Sequence, residues 1–522
     1  MAHTENRSRF NSAARLGVSV VFVPALLLGV GALPAAAADW TVTPNLTLSE
    51  RYTDNVNLAP SGQPRESDFI TEVRPGVQFS KEGARLKVRV NYSLQSLTYL
   101  NNSNYNAINH QLNAAANAEL LKDFLFLDAN TAISQQNINA LGPVGFGNTN
   151  ATNNLTTVGT YSISPYIRKR FDSFADANLR ISQSGIYYNS QGISNTVSDS
   201  VVGALTSGSS FNDLFWGLNY SYNKNKNQLV PDTEFETTSA TLGYALTRKF
   251  RVNATAGQER NNYVSLSGSK IDGPFWNAGF TWTPTSRTSV AATYGHRFFG
   301  RTYSFDLSER TRHTSWHAGY SENLTTSSAT SLSATLVGSY FACTAPPQGM
   351  NFVVATNSNN SISYIIFVPA DTQPPSGYGC FPTTYSAYGI NQSLVNEVFI
   401  LKNLTAGVGV NVGKSNYNLD IYSMRRDLQT SGNYDRQSGV NAGWNWHFAP
   451  FTTFSLTGNL SRIEVPSQNR KDDLWMVSTG VTHQFQPKLN GSVFIRHQAR
   501  SSNLPGNDFT ENSITALVSM TF

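Results

Sequence analysis

The sequence predicts an all-β chain, a transmembrane antiparallel up-and-down β-barrel of about 22 strands (roughly 20–24, since strand boundaries read from sequence shift by a few residues). Three observations predict it. Apolar and polar residues alternate with period two along many segments, which gives a strand one greasy face and one wet face. Short and long connections between those segments alternate along the chain, as they do where tight turns lie on one rim of a barrel and long loops on the other. Charged residues make up only 14% of the 522 residues and aromatics 12%, yet beyond the N-terminus no apolar run is long enough for a membrane helix. Such a texture suits a wall facing lipid on one side and water on the other.

The N-terminus carries Arg7, Arg9 and Arg15, an apolar stretch from Leu16 to Leu33, and Ala36-Ala37-Ala38. That order reads as a secretory signal peptide over residues 1–38, cut after Ala38, leaving a barrel domain over 39–522. A retained membrane helix is the alternative, but Pro24 interrupts the stretch and a small-residue site follows it. Removing Glu5 and the three arginines takes the net charge from +5 to +3 (+5 − 3 + 1), a balance too slight to predict a nucleic-acid partner.

A strand is expected around 43–53 with Leu46 and Leu48 on one face, then a polar loop, then a strand around 69–80 with Val73, Val77 and Phe79. Lys81-Glu82-Gly83-Ala84 reads as a tight turn. In the third strand Leu86, Val88, Val90, Tyr92 and Leu94 alternate with Arg85, Lys87, Arg89, Asn91 and Gln95. A helix would scatter those cations, whereas a strand gathers them on one face. If the apolar face meets lipid, Arg85, Lys87 and Arg89 line the lumen; Arg51, Arg180 and Arg496 are assigned there by the same alternation. A basic lumen attracts anionic solutes; the alternative is a set of cations each paired with Asp or Glu.

Hairpins follow. Short connections are expected at 122–123, 170–173, 207–213, 247–249, 283–287, 325–330, 413–415, 448–451 and 486–488. Long ones are expected at 98–108, 137–153, 189–197, 224–235, 261–272, 427–433, 463–470 and 498–510. Leu214, Trp216, Leu218, Tyr220 and Tyr222 share a face, as do Trp276, Ala278, Phe280 and Trp282, and Val440, Ala442, Trp444 and Trp446. Aromatics near strand ends predict interfacial girdles. An even strand count returns both termini to the periplasmic side of the outer membrane. With strands about 4.8 Å apart and tilted about 40°, the wall would be roughly 40–45 Å across, too wide for its own side chains to fill.

The outsized connection 342–395 is the expected plug or external cap. It holds several prolines, an apolar run from Tyr364 to Val368, and both cysteines, Cys343 and Cys380. In an oxidising envelope the two are a candidate disulfide, worth about 4 kcal/mol in the chain-entropy model; two free thiols are the alternative. The last strand alternates Ile514, Ala516, Val518, Met520 and Phe522 with Ser513, Thr515, Ser519 and Thr521. It resembles the closing strand of bacterial outer-membrane barrels, which implies that Val518, Met520 and Phe522 form the signal read by the barrel-assembly machinery.

No catalytic constellation emerges, so the expectation is a non-enzyme with no cofactor and no metal. Gly413-Lys414-Ser415 resembles the end of a phosphate-binding loop, but Val408 stands where glycine is required and the segment reads as a turn. His313 and His317 would stand about 13 Å apart on a strand, too far to share a metal. A hydrolase using a rim histidine such as His296 or His497 is the remaining enzymatic reading.

Arg51-Tyr52-Thr53-Asp54-Asn55-Val56 after Pro44, then Asp68-Phe69-Ile70-Thr71 with Arg74-Pro75-Gly76, resembles the opening of the PEP-CTERM system-associated outer-membrane barrel family. Phe299-Gly300-Arg301-Thr302-Tyr303-Ser304, running on to Tyr320-Ser321-Glu322, is similar to that family's middle. The likeness covers the chain from about Trp40 to Phe522; porin-like families share the Tyr-Thr-Asp-Asn segment, and the cysteine-bearing loop departs from the pattern. The resemblance implies a barrel encoded with exosortase and exopolysaccharide machinery, serving export or assembly of a surface polysaccharide. Implied partners are outer-membrane lipid and lipopolysaccharide, the polysaccharide, and periplasmic export proteins. A general diffusion porin with a basic lumen is the alternative function.

Overall fold

The computed structural model describes residues 40–145, 147–265, 270–333, 339–343, 352–356, 362–368, 380–382 and 397–522. The expected signal peptide and its cleavage site lie outside the described residues. In chain order the strands are β1 (Trp40–Thr53), β2 (Asp68–Glu82), β3 (Leu86–Tyr99), β4 (Ala107–Leu121), β5 (Leu125–Asn137), β6 (Leu155–Phe171), β7 (Ala175–Tyr188) and β8 (Thr196–Ser207). Next come β9 (Leu214–Asn227), β10 (Thr233–Thr247), β11 (Phe250–Asn262), β12 (Gly273–Thr285), β13 (Thr288–Arg297), β14 (Gly300–Arg310) and β15 (Thr314–Thr326). A short helix α1 (Ser327–Ser333) and four short strands follow, β16 (Ser339–Cys343), β17 (Phe352–Thr356), β18 (Ile362–Val368) and β19 (Cys380–Pro382). The chain finishes with β20 (Val398–Val412), β21 (Ser415–Leu428), β22 (Tyr434–Ala449), β23 (Thr452–Val465), β24 (Arg470–Gln486), β25 (Leu489–Ser502) and β26 (Phe509–Thr521).

Strands β1–β15 and β20–β26 form one 22-stranded antiparallel sheet in which each strand pairs with its sequence neighbours and β15 pairs with β20. The sheet closes on itself, because β1 also pairs with β26, from Asn45 opposite Thr521 to Thr53 opposite Ser513. Closure leaves no edge, the condition for strands to cross a membrane whose core offers no hydrogen bonds. The fold class and strand number expected from the sequence are those of the structure.

Alternation sorts the two faces. On β26 Val518 is 45% exposed while Glu511 and Ser513 are buried. Opposite residues on neighbouring strands share a face, so the register carries this assignment around the ring: Val518 lies opposite Leu48, and Ile514 opposite Tyr52. The outward face is a continuous apolar band that includes Leu218, Leu242, Ile421, Leu460 and Ile495, all exposed. Aromatics stand in two tiers on it. One tier, near the short turns, includes Trp216, Trp282, Trp316 and Trp446; the other, near the long loops, includes Tyr52, Phe69, Trp276, Tyr303 and Trp475. These are the girdles of a transmembrane barrel, where amphipathic rings sit at the two interfaces.

The short turns lie at 83–85, 122–124, 172–174, 208–213, 248–249, 286–287, 311–313, 413–414, 450–451 and 487–488. Asp123 and Asp172 hold positive φ there (56° and 47°), a region that the short Asp side chain tolerates. Two expectations need correction. The string at 325–330 is no turn: β15 runs through Thr326, whose Oγ1 accepts a hydrogen bond from the Ala329 amide (3.1 Å) and so caps α1. The turn lies at 311–313, where Thr311 Oγ1 accepts from the Thr314 amide (2.9 Å). The long–short alternation is also weaker than expected: on the long-loop side β13 and β14 are joined by Phe298 and Phe299 alone, and the connections expected at 224–235 and 463–470 shrink to 228–232 and 466–469, shorter than 208–213 on the other rim. Gly300, at φ 117°, supplies the backbone conformation that the reversal from β13 to β14 needs.

The connection between β15 and β20 spans 327–397, wider than the 342–395 expected, and contains a second sheet in the order β17-β18-β16-β19. Its register sets the backbone of Cys343 opposite that of Cys380.

Ile495→Arg, which puts a cation into the middle of the outward band, should destabilise the barrel by about 2–4 kcal/mol. Ser519→Arg, on the inward face of β26, should leave folding unchanged. Heat-modifiable mobility of the refolded variants checks both; an unaffected Ile495→Arg would contradict the assigned face.

Candidate functional site

The family-like string at the end of β1 builds the site. Tyr52 points outward, its ring 4.9 Å from that of Phe69. Arg51 and Thr53 point inward and are buried. Arg51 Nη2 donates to Glu511 Oε1 at 2.9 Å, and the Thr53 hydroxyl donates to the same oxygen at 2.5 Å. Asn150 Nδ2 donates to it as well, at 2.8 Å, while Gln498 Nε2 donates to Glu511 Oε2. Glu511 is 1% exposed, so this set of donors is what makes a buried carboxylate tolerable there.

Asn150 belongs to the connection 138–154, and that loop folds inward. It joins β5 to β6 yet reaches residues of β1, β3, β24, β25 and β26. A single loop touches strands so far apart around the ring only from the concave side. Arg51 Nη1 donates to Thr149 Oγ1, and the Ala151 amide donates to the Val56 carbonyl (2.9 Å). Tyr99 donates its hydroxyl to the Thr149 carbonyl (2.8 Å), and Asn148 bonds Gln95 and Gln135. Beneath them Val56, Ile70, Leu97 and Tyr99 form a small apolar core that Ala151 and Tyr105 join. A second core of Val158, Ile186, Tyr188 and Ile193 takes up Ile138.

The loop's other half rests on a second buried ion cluster. Asp472 is fully buried between Arg500 and Arg470, the latter at 2.9 Å. Both guanidinium groups also donate to the Leu141 carbonyl, Arg470 at 2.7 Å and Arg500 at 2.9 Å, and Arg500 donates to that of Gly142. Residues 138–154 carry no charge, so the loop meets the wall's arginines with carbonyl oxygens and the Thr149 hydroxyl. Asn154 holds the loop to itself, donating to the carbonyls of Asn139 (2.8 Å) and Pro143 (3.1 Å). A Cβ at Gly142 would stand 2.6 Å from Asn154 Cγ, so this turn requires glycine.

A second segment turns inward at β15. The helix α1 comes within 8 Å of β7 by Cα, although β15 and β7 lie eight strands apart in the ring. Where the same connection re-enters the wall, burial pushes the Glu397 carboxyl above its usual range, opposed by the Arg426 guanidinium.

The cations singled out in the sequence lie as follows. Lys87 and Arg89 share the inward face of β3 near the short turns and flank Glu82, Lys87 at 4.0 Å. Arg85 lies in the turn before β3, exposed, rather than on the strand. Arg180 faces inward, 2.8 Å from Asp128 and 4.0 Å over the Tyr166 ring. Arg496 is buried on β25, between Ser478 and Ser513 of the neighbouring strands. Of these cations only Arg51 belongs to the latch, the buried clusters around Glu511 and Asp472 that hold residues 138–154. Val518 and Met520 face outward on β26, and Phe522 ends the chain 55% exposed.

Among the histidines, His317 faces Asp420 across 3.6 Å on the inner wall, and His313 sits in the turn at 311–313. His497 lies outward with Nδ1 2.6 Å from Asn512 Oδ1, and His296 lies outward opposite Trp276. Sequence reasoning missed Glu511, Asp472, Arg470 and Arg500. The available signal was a carboxylate at an inward position near the long-loop end of β24 and of β26.

Neither a protein-family model nor a curated protein matches the chain. Among solved structures the barrel is similar to the siderophore receptor PirA from Pseudomonas aeruginosa, at 10% identity and TM-score 0.47, over 93% of this chain and 81% of that one. It is similar to the ferric enterobactin receptor PfeA of the same organism, at 10% identity and TM-score 0.49, over 93% and 82%. It is also similar to the FrpB iron transporter from Neisseria meningitidis, at 9% identity and TM-score 0.47, over 92% and 81%.

Asp472→Asn leaves Arg470 and Arg500 buried without a counter-charge and should cost about 3–5 kcal/mol. Asp473→Asn, one residue on and paired with Arg462 on the exposed outer face, should cost less than about 1 kcal/mol. Urea unfolding in detergent measures both, and equal effects would contradict the latch.

Proposed function

We propose that this chain is an outer-membrane conduit for a surface exopolysaccharide, closed at rest by its own inward loop. The observation that carries the reading is the docking of residues 138–154 inside the mouth on buried pairs around Glu511 and Asp472. A 22-stranded wall encloses more space than its side chains fill. A neutral loop held by hydrogen bonds, rather than by covalent or metal links, suits closure that a partner can reverse.

The cargo class rests on the family resemblance. The residues that carry it, Arg51, Thr53, Asp54, Asn55 and Val56, are also those around the latch: Asp54 accepts from the Asn512 amide (2.7 Å) and Asn55 donates to the Thr510 carbonyl (2.9 Å). Trp40 and Phe522 stand at the short-turn end, which this reading places in the periplasm, with the long loops outside. The chain then acts by transport and not by catalysis, with periplasmic export proteins as its partners.

Single-channel conductance in planar bilayers tests the proposal. The intact barrel should pass little current, and replacing 139–153 by a short Gly-Ser linker should raise it at least severalfold. The enlarged current should be blocked by anionic oligosaccharides. A large open current from the intact barrel, indifferent to the linker, would instead mark a general diffusion porin.

The same reading includes a disulfide between Cys343 and Cys380, supported by their opposed backbone positions on β16 and β19. Thiol titration of the denatured, unreduced protein should find no free thiol; two would exclude the bridge.

A further inference from the structure

The outward face carries charges directly beyond its apolar band, on the side of the long loops. Most are matched one to one: Lys224 with Glu234, Lys226 with Asp199, Arg260 with Glu236, Arg462 with Asp473, and Lys471 with Glu464. One place breaks the rule. Lys402 on β20 lies opposite Arg425 on β21, and Arg425 lies opposite Arg436 on β22. Three cations therefore stand side by side in one row across three strands. Like charges directly opposite repel and weaken a sheet, so such a row calls for an anion.

Carboxylates flank the row in register, Glu322 opposite Lys402 and Glu464 opposite Arg436, but Glu464 pairs with Lys471, so with Asp427 three carboxylates meet four cations. Asp427 takes Lys402 at 3.0 Å and Arg425 at 2.6 Å. Arg436 donates Nε to the Ser423 hydroxyl (3.2 Å), and among the described residues no carboxylate lies within 4 Å of it. Arg425 is held in place over the Tyr434 ring, 4.1 Å away. Below the row, past Ser423 and Ser438, the wall turns apolar through Leu404, Ile421 and Val440 on the same three strands and the same face. Unmatched guanidinium above acyl-compatible wall is the complement of an anionic head on an apolar body. Arginine's planar fork suits phosphate oxygens, and headgroup depth is where the row lies.

We propose that the outer wall at Lys402, Arg425 and Arg436 binds a phosphate of the lipopolysaccharide lipid anchor in the surrounding leaflet. The source follows from the long loops lying outside the cell, so this inference rests on the orientation given above. The anion completes the row, fixing β20–β22 beside the re-entry of the long connection.

Binding of purified bisphosphorylated lipid A to the detergent-folded full-length barrel, followed by native mass spectrometry, tests it. The double variant Arg425→Gln/Arg436→Gln should weaken binding at least tenfold, and Arg436→Lys should weaken it less. Arg462→Gln, in a matched pair, should change it less than twofold. Retained heat-modifiable mobility confirms that each variant is folded. Equal binding of lipid A by the double variant, equal binding of dephosphorylated lipid A, or preference for phosphatidylglycerol would each overturn the proposal. A protease site placed at 429–433 and cut in intact cells reports the orientation separately; failure to cut would refute the choice of leaflet even if phosphate binding stood.

Discussion

The seam where the first strand meets the last is the constraint on which the rest depends. An open edge would leave unpaired N–H and C=O groups in lipid, at several kcal/mol each. Pairing of Asn45–Thr53 with residues 513–521 removes that edge. At the loop end of the seam, on its inner side, Arg51 of β1 and Glu511 of β26 form a buried ion pair. The inward loop is seated on that pair. Closing the sheet and seating the loop therefore use the same residues, and the loop's seat exists only once the first and last strands have met.

The two faces of the wall solve opposite problems. Outside, lipid tolerates apolar side chains and penalises charge, and the exposed band from Leu48 around to Ile495 answers that demand. Inside, a ring this wide leaves polar groups facing a cavity rather than one another. The structure meets this by bringing backbone to the arginines. Carbonyls of Leu141 and Gly142 take donors of Arg470 and Arg500 that Asp472 alone leaves unsatisfied. Removing either carboxylate leaves a buried cation without its partner, which makes the cluster an all-or-none seat rather than a gradual one.

Much of the wall was legible because period two is a local property. β3, β12 and β26 show their outward faces in a few residues each, and turn chemistry marks most of the short connections. The failure at 325–330 has a local cause too: Ser and Thr that would suit a turn instead cap and begin α1. The latch was illegible for a different reason. Arg51 and Glu511 are brought together only by closure of the ring, and their mutual selection leaves no trace in spacing. Residues 138–154, rich in Asn and Gly, read only as a long polar connection, because the carbonyls, the Ala151 amide and the Asn148 and Asn150 side chains that hold them find their partners on strands distant in sequence. The cations show the same limit: alternation gives a face, but only the register between strands shows that Arg180 sits with Asp128 and Lys87 with Glu82, or that Lys402, Arg425 and Arg436 share one row.

The inward seating of residues 138–154 is the central claim, and amide hydrogen exchange of the refolded barrel tests it most directly. The Ala151 amide, bonded to the Val56 carbonyl, should exchange orders of magnitude more slowly than amides of the solvent-facing turn at 429–433. Its protection should fall in Glu511→Gln while the wall amides of β25 keep theirs. Exchange of 138–154 as fast as the open turns in the unaltered protein would mean that the loop stands away from the wall, and the closed mouth would have to be abandoned.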